Sequence, residues 1–200
     1  MRNRVLSLAA LSTLAIAACT TRDTARNDSA AADSMAAATT TTATPAPAAS
    51  PALNDPTIVA IFDNANTADI ETGQLATERG STKAVRDFGA MLVRDHSAVR
   101  KQGRDLAQKL GVTPTPPADD ASARAHAEAM TTLRGKQGAD FDRAFLDHEV
   151  KFHQDVIDAV NGTLLPAIQN AELKALVVKV APAFQAHRDA AANLRQKVGA

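Results

Sequence analysis

From about position 54 onward, large apolar side chains recur every three to four residues, the period that lays a stripe along one side of an α-helix. Four long patterns of this kind are separated by turn signals. The first begins at Asp55-Pro56, with Asp as candidate cap and Pro in the first turn, and ends near Gly80. The second runs from Ser81 to Gly111, where the proline-rich VTPTPP stops it, and a shorter helix is predicted from Asp119 to Arg134. The third spans about Gln137 to Asn161, with Asn161-Gly162 as its expected end. The fourth spans about Asn170 to Val198 and contains Pro182, which removes a backbone hydrogen bond and predicts a kink. No segment alternates with the period of two that a strand needs. The pattern predicts an all-α antiparallel bundle of four long helices, with a short extra helix between the second and third.

The informative residues are those that break the apolar stripes. In the third pattern Phe141, Phe145, Leu146, Val150, Phe152, Val156, Ile157 and Val160 fill half of the wheel, and Asp147, Lys151, Gln154, Asp155 and Asp158 fill the other. Glu149 nevertheless falls in the apolar half, His153 lies beside it one turn on, and His148 falls at the edge. His187 lies inside the stripe of the fourth pattern, among Val180, Phe184, Ala191 and Leu194. Asp95 and His96 flank the stripe centre of the second from opposite sides, so either can lean inward. In the first, Asp69 is inside the arc and Glu71 at its margin beside Leu75.

Unpaired polar groups are expensive inside an apolar bundle, so several inward acids and histidines should find one another or share a cation. Two readings follow. The residues form a metal site in the bundle core, or they form a hydrogen-bonded network that fixes helix register. Under the metal reading the ion is a transition metal such as iron, zinc or copper.

Composition removes other classes. Acids and bases balance at 22 each, and aromatic content is 3% with no Trp or Tyr, so neither a basic field nor stacking platforms exist for nucleic acid. HEVKFH places its histidines five apart, about 140° around a helix, whereas a zinc-protease helix needs them four apart on one face. The di-iron pattern of Glu and His three apart also fails, since Phe152 follows Glu149 at that distance and Val93 precedes His96. No nucleophile elbow or phosphate loop is present, so no catalytic residue is assigned and an enzyme is the weakest reading. His126 reads as a solvated histidine.

Ahead of the bundle, MRNRVLSLAALSTLAIAAC has two arginines, an apolar run and one cysteine, the layout of a secretory signal peptide over residues 1–18. Its end, IAAC, resembles a bacterial lipobox, which implies lipidation of Cys19, attachment to a membrane, and, with Thr20 following, an outer-membrane position facing the periplasm. Residues 19–53, rich in Ala, Thr and Pro, read as a tether, leaving residues 54–200 for one domain.

Three stretches, NANTADIETGQLATERGSTKAVRDFGAMLVRDHSAV, FDRAFLDHEVKFHQDVIDAV and NAELKALVVKVAPAFQAHRDAA, resemble the DUF4142 family of exported bacterial proteins. The resemblance implies a ferritin-like four-helix fold and carries the family pattern onto Glu71, Asp95-His96, Glu149 with His153, and His187; joined to the metal reading, it makes Glu149, His153, His187 and His96 the expected ligands, with Asp95 or Glu71 as a fifth ligand or a support for one. It implies no activity.

Overall fold

The computed structural model describes residues 53–198, and among these every regular element is helical. Helix α1 spans Asp55–Arg79, α2 Lys83–Leu110, α3 Ala121–Arg134, α4 Gly138–Ala159, α5 Leu165–Ala167 and α6 Ala171–Val198, with a π-helical turn at Val160–Leu164 joining α4 to α5. The expected signal peptide, Cys19 and the expected tether up to residue 52 lie outside the described residues.

Local chemistry sets the helix ends, with small shifts from the expected ones. The cap of α1 is Asn54, whose side chain accepts from the Thr57 N–H at 3.0 Å, while Asp55 sits inside the first turn. Asp55 instead accepts from the backbone N–H groups of Gln169 and Asn170 at 2.9 and 2.8 Å, tying the start of α1 to the start of α6. Leu53, expected in the tether, packs against the core. Thr82 caps α2, and Gly111 ends it with φ 65°, the left-handed conformation that favours glycine. Asn161-Gly162 does not stop α4. The chain stays helical through the π turn, where the Leu165 N–H reaches back to the Val160 carbonyl, because Val160, Leu164 and Ile168 are all buried in the core. Helix α6 continues through Pro182.

The contacts between ends give the topology. Thr115 N–H donates to the Pro56 carbonyl, so α2 finishes where α1 began. Helix α3 then returns along the bundle. Arg79 donates to the Arg134 carbonyl at 2.6 Å, and Asp142 accepts from Ser81 N–H, Ser81 Oγ and Thr82 N–H at 2.7, 2.7 and 3.0 Å, so α4 starts where α2 starts. Helices α2 and α4 therefore run parallel, as do α1 and α6. The closely packed neighbours are α1 with α2 and α4 with α6, each antiparallel. This is the ferritin-like antiparallel four-helix bundle with one crossover, and α3 is the crossover.

The core is split. One apolar cluster holds Ile58, Phe62, Ile157, Leu164, Leu173, Val177 and Phe184, and the other Leu75, Val85, Phe88, Leu92, Phe141, Phe145 and Leu146. Between these levels each long helix contributes polar residues: Asn66, Asp69 and Thr72, His96, Glu149 and His153, and His187, all buried. A single polar layer interrupts the bundle.

Candidate metal centre

In the polar layer, helical spacing decides which side chain reaches the axis. Asp69 and Thr72 are three apart on the inner face of α1, and Glu149 and His153 are four apart on that of α4. His96 faces inward at 2% exposure, while its neighbour Asp95 sits at the rim with its side chain 32% exposed, resolving the choice left open within α2. His187 is 5% exposed.

Each imidazole has one nitrogen held by a fixed acceptor. Asn66 donates its amide to the Phe62 carbonyl at 2.7 Å, which turns its oxygen toward His96 Nδ1 at 3.0 Å, so that nitrogen carries the proton. His153 Nδ1 donates to the Glu149 carbonyl at 2.9 Å. His187 Nε2 lies 3.2 Å from Asp95 Oδ2 and donates to it. Arg94 at 2.7 Å keeps the Asp95 carboxyl below its ordinary range, so that carboxylate can only accept. In the neutral rings the remaining nitrogens, His96 Nε2, His153 Nε2 and His187 Nδ1, expose lone pairs to one another. Ligand atoms of the three rings all lie within 4.8 Å of one another.

Electrostatics make this convergence costly when nothing lies between the rings. Burial, followed by the proximity of His153 and His187, lowers the pKa of His96 to about 3, and burial followed by His153 lowers that of His187. Neither ring readily takes the proton that would bridge the 3.1 Å between His96 Nε2 and His187 Nδ1. Beside them lie two sealed carboxyls, Asp69 at 1% and Glu149 at 0% exposure. Both Asp69 oxygens, both Glu149 oxygens and His153 Nε2 are buried without a hydrogen-bond partner. Ion-pair distances of 3.3 Å from Asp69 to His96 Nδ1 and 3.4 Å from Glu149 to His153 Nδ1 bring charge close without satisfying these atoms. Burial and then Glu149 push the Asp69 pKa well up; burial alone would raise Glu149 too, but His153 brings it below the ordinary value. Asp69, Glu149 and His153 thus form a second three-residue group whose ligand atoms also lie within 4.8 Å of one another, sharing His153 with the first.

A divalent ion matches this donor set. Two nitrogens on one ion with bonds of about 2.0–2.1 Å lie roughly 2.9–3.4 Å apart, and 3.1 Å falls in that interval. Three neutral imidazoles with two carboxylates would also balance the charge of a divalent ion. Phe184 closes the layer from below, its ring centroid 5.7 Å from that of His96 and 6.2 Å from that of His153.

Of the residues expected from the sequence, the structure brings His96, His153, His187 and Glu149 together, with Asp95 behind His187. Glu71 is corrected: its side chain is 48% exposed and its carboxylate is 2.8 Å from His126 Nε2, because two residues on from Asp69 a helix has turned about 200°. His126 accordingly pairs with Glu71 and is not simply solvated. Asp69 takes the inward place. Asn66 carried no signal, and Thr72 only that of an inward position on the first stripe, since short polar side chains in a helix usually bond their own backbone, as Thr72 does to the Ala68 carbonyl at 3.2 Å.

A ferritin-like bundle with a buried His/Asp/Glu layer defines a class of protein in which the core between helices can hold a polar site. The chain belongs to the family described as "Domain of unknown function (DUF4142)", whose model matches residues 22–194. No curated protein matches it. Among solved structures it is similar to a DUF305 fragment from Deinococcus radiodurans, with TM-score 0.63, 15% identity, and coverage of 71% of this chain and 95% of that one. It is also similar to CopM in the Cu(II)-bound form, with TM-score 0.56, 15% identity, and coverage of 72% and 98%.

Proposed function

We propose that this protein binds one divalent transition-metal ion in the middle of its bundle, through His96 Nε2, His153 Nε2 and His187 Nδ1, with Asp69 and Glu149 completing the shell. The observation that carries this reading is that each ring has an acceptor at one nitrogen, which leaves the other nitrogen free, on three rings whose ligand atoms lie within 4.8 Å of one another. Such outer hydrogen bonds orient imidazole ligands and raise their basicity. The donors are nitrogen and oxygen only, which suits Cu(II), Zn(II) or Fe(II), and the usual affinity order puts Cu(II) highest. The Cu(II)-bound form of a fold neighbour agrees with this choice, at an identity that speaks for fold alone. The site is sealed from solvent, so the reading is of a protein that holds or hands on metal and performs no turnover.

Titrating metal-free full chain with Cu(II) and Zn(II) by calorimetry tests this. One ion per chain is expected, lost in His153→Ala while helical content is retained; no stoichiometric uptake sinks the proposal. The same reading places the bundle at the cell envelope, anchored through Cys19. Wild-type protein in the membrane fraction with Cys19→Ala released from it supports the anchor, and equal partition of the two discards it.

A second reading keeps the layer metal-free, with His187 as an imidazolium donating to both Asp95 and His96. Asp95's charge favours it. It leaves His153 Nε2 without a partner and the two inner carboxyls joined only by a shared proton on Asp69, however, and burial opposes a charged His187.

A further inference from the structure

A sealed site needs a way in, and the surroundings of the layer are not equivalent. Asp69 and Glu149 are closed off at 1% and 0% exposure, and His96 and His153 at 2% and 0%. The polar chain that leaves this interior for water runs through His187. His96 Nε2 is 3.1 Å from His187 Nδ1, His187 Nε2 is 3.2 Å from Asp95 Oδ2, and Asp95 Oδ1 is 2.7 Å from Arg94 Nε. Along this line side-chain exposure climbs from 2% at His96 through 7% at His187 and 32% at Asp95 to 71% at Arg94.

Resting on the metal reading above, we infer that Asp95 is the capture point for the incoming cation, that Arg94 occupies this point as a resident counter-ion, and that His187 is the ring that carries the ion inward. Asp95 has the chemistry of a first contact: a partly exposed carboxylate that can exchange a guanidinium for a hydrated divalent ion. A doubly charged ion competes well with a singly charged guanidinium for one carboxylate, because attraction scales with charge. His187 has the placement of a shuttle, since one of its nitrogens faces the capture carboxylate and the other faces His96. The fields of Asp95 and Arg94 act at the rim, so they alter the rate of entry more than the strength of final binding.

Away from this line, Glu71 of α1 and His126 of α3 pair with each other at 2.8 Å. These two therefore serve as the comparison positions.

The test is stopped-flow uptake of Cu(II) by the metal-free full chain, with equilibrium affinity and stoichiometry measured in parallel. Asp95→Asn keeps an oxygen acceptor for His187 Nε2 and removes only the charge. It is expected to slow association about tenfold, with much smaller change in affinity, and to flatten the dependence on ionic strength. Arg94→Ala should speed association several-fold. Glu71→Gln and His126→Gln should leave the rate unchanged. Unaltered rates in Asp95→Asn and Arg94→Ala, or slowing in the Glu71 and His126 variants instead, overturn the capture point while the metal site stands. Absence of stoichiometric uptake by the wild-type chain overturns both.

Discussion

Asp69 and Glu149 hold two carboxyls against each other inside an apolar bundle; as carboxylates their four oxygens lack donors, and in the metal-free state the proton that burial and Glu149 favour on Asp69 can bridge one pair of them. Burying such groups costs several kcal/mol each unless something compensates. If a metal ion is that compensation, stability and binding must respond to substitution in opposite directions. Asp69→Asn and Glu149→Gln are expected to stabilise the metal-free protein by about 1–3 kcal/mol, read as a higher Tm, and to weaken the Tm increase that Cu(II) produces. Lower stability of both variants in the metal-free state would mean the carboxyls are satisfied without an ion. The inward histidines and Glu149 were legible because each interrupts an otherwise apolar stripe. The first stripe already set Asp69 inside its arc and Glu71 at the margin, but it is built from small residues such as Ala65, Ala68 and Ala76, so its centre is poorly marked and the family pattern favoured Glu71. Only the packing partner settles it, and α4 places Glu149 opposite Asp69.

Helices α1 and α2 approach so closely at Gly73 and Gly89 that a Cβ on either would sit 2.7 or 2.6 Å from the other's carbonyl oxygen. That contact lies next to Thr72 and about one turn from Asp69 on α1, and about two turns from His96 on α2, so it sets how far His96 stands from Asp69. Gly73→Ala or Gly89→Ala should force the helices apart and destabilise by about 1–3 kcal/mol in denaturant unfolding, with weaker metal binding as a consequence. Gly162→Ala, where the added carbon meets nothing within 4 Å, should be neutral or stabilising by up to about 1 kcal/mol. Equal effects at all three positions would contradict the close approach. The sequence marks these glycines only as mild helix penalties, because close approach is a property of two helices. The same limit explains Asn161-Gly162, a reasonable stop on local chemistry that gives way to the burial of Val160, Leu164 and Ile168. Asp142, fully buried, was invisible for a related reason: its partners are the backbone N–H groups that open α2, 60 and 61 residues away.

At the scale of the molecule, the four long helices, the short α3 and their order followed from periodicity, and the resemblance supplied the ferritin-like arrangement that the contacts between helix ends agree with. The up-down-down-up direction of the helices depended on where α3 goes, which its weak, Ala-rich pattern could not tell. What the assembled bundle adds is the single polar level between two apolar clusters, in which four helices each supply part of one centre. Binding there links all four helices, so metal should stabilise the bundle as a unit. The most direct test of the account is X-ray absorption at the metal edge on protein loaded with one equivalent of Cu(II). It should show three imidazole nitrogens with carboxylate oxygen at about 2.0–2.2 Å, and His187→Ala should remove one imidazole from that shell. A shell without imidazole, or one identical in wild type and His187→Ala, would contradict a centre built from the three converging rings.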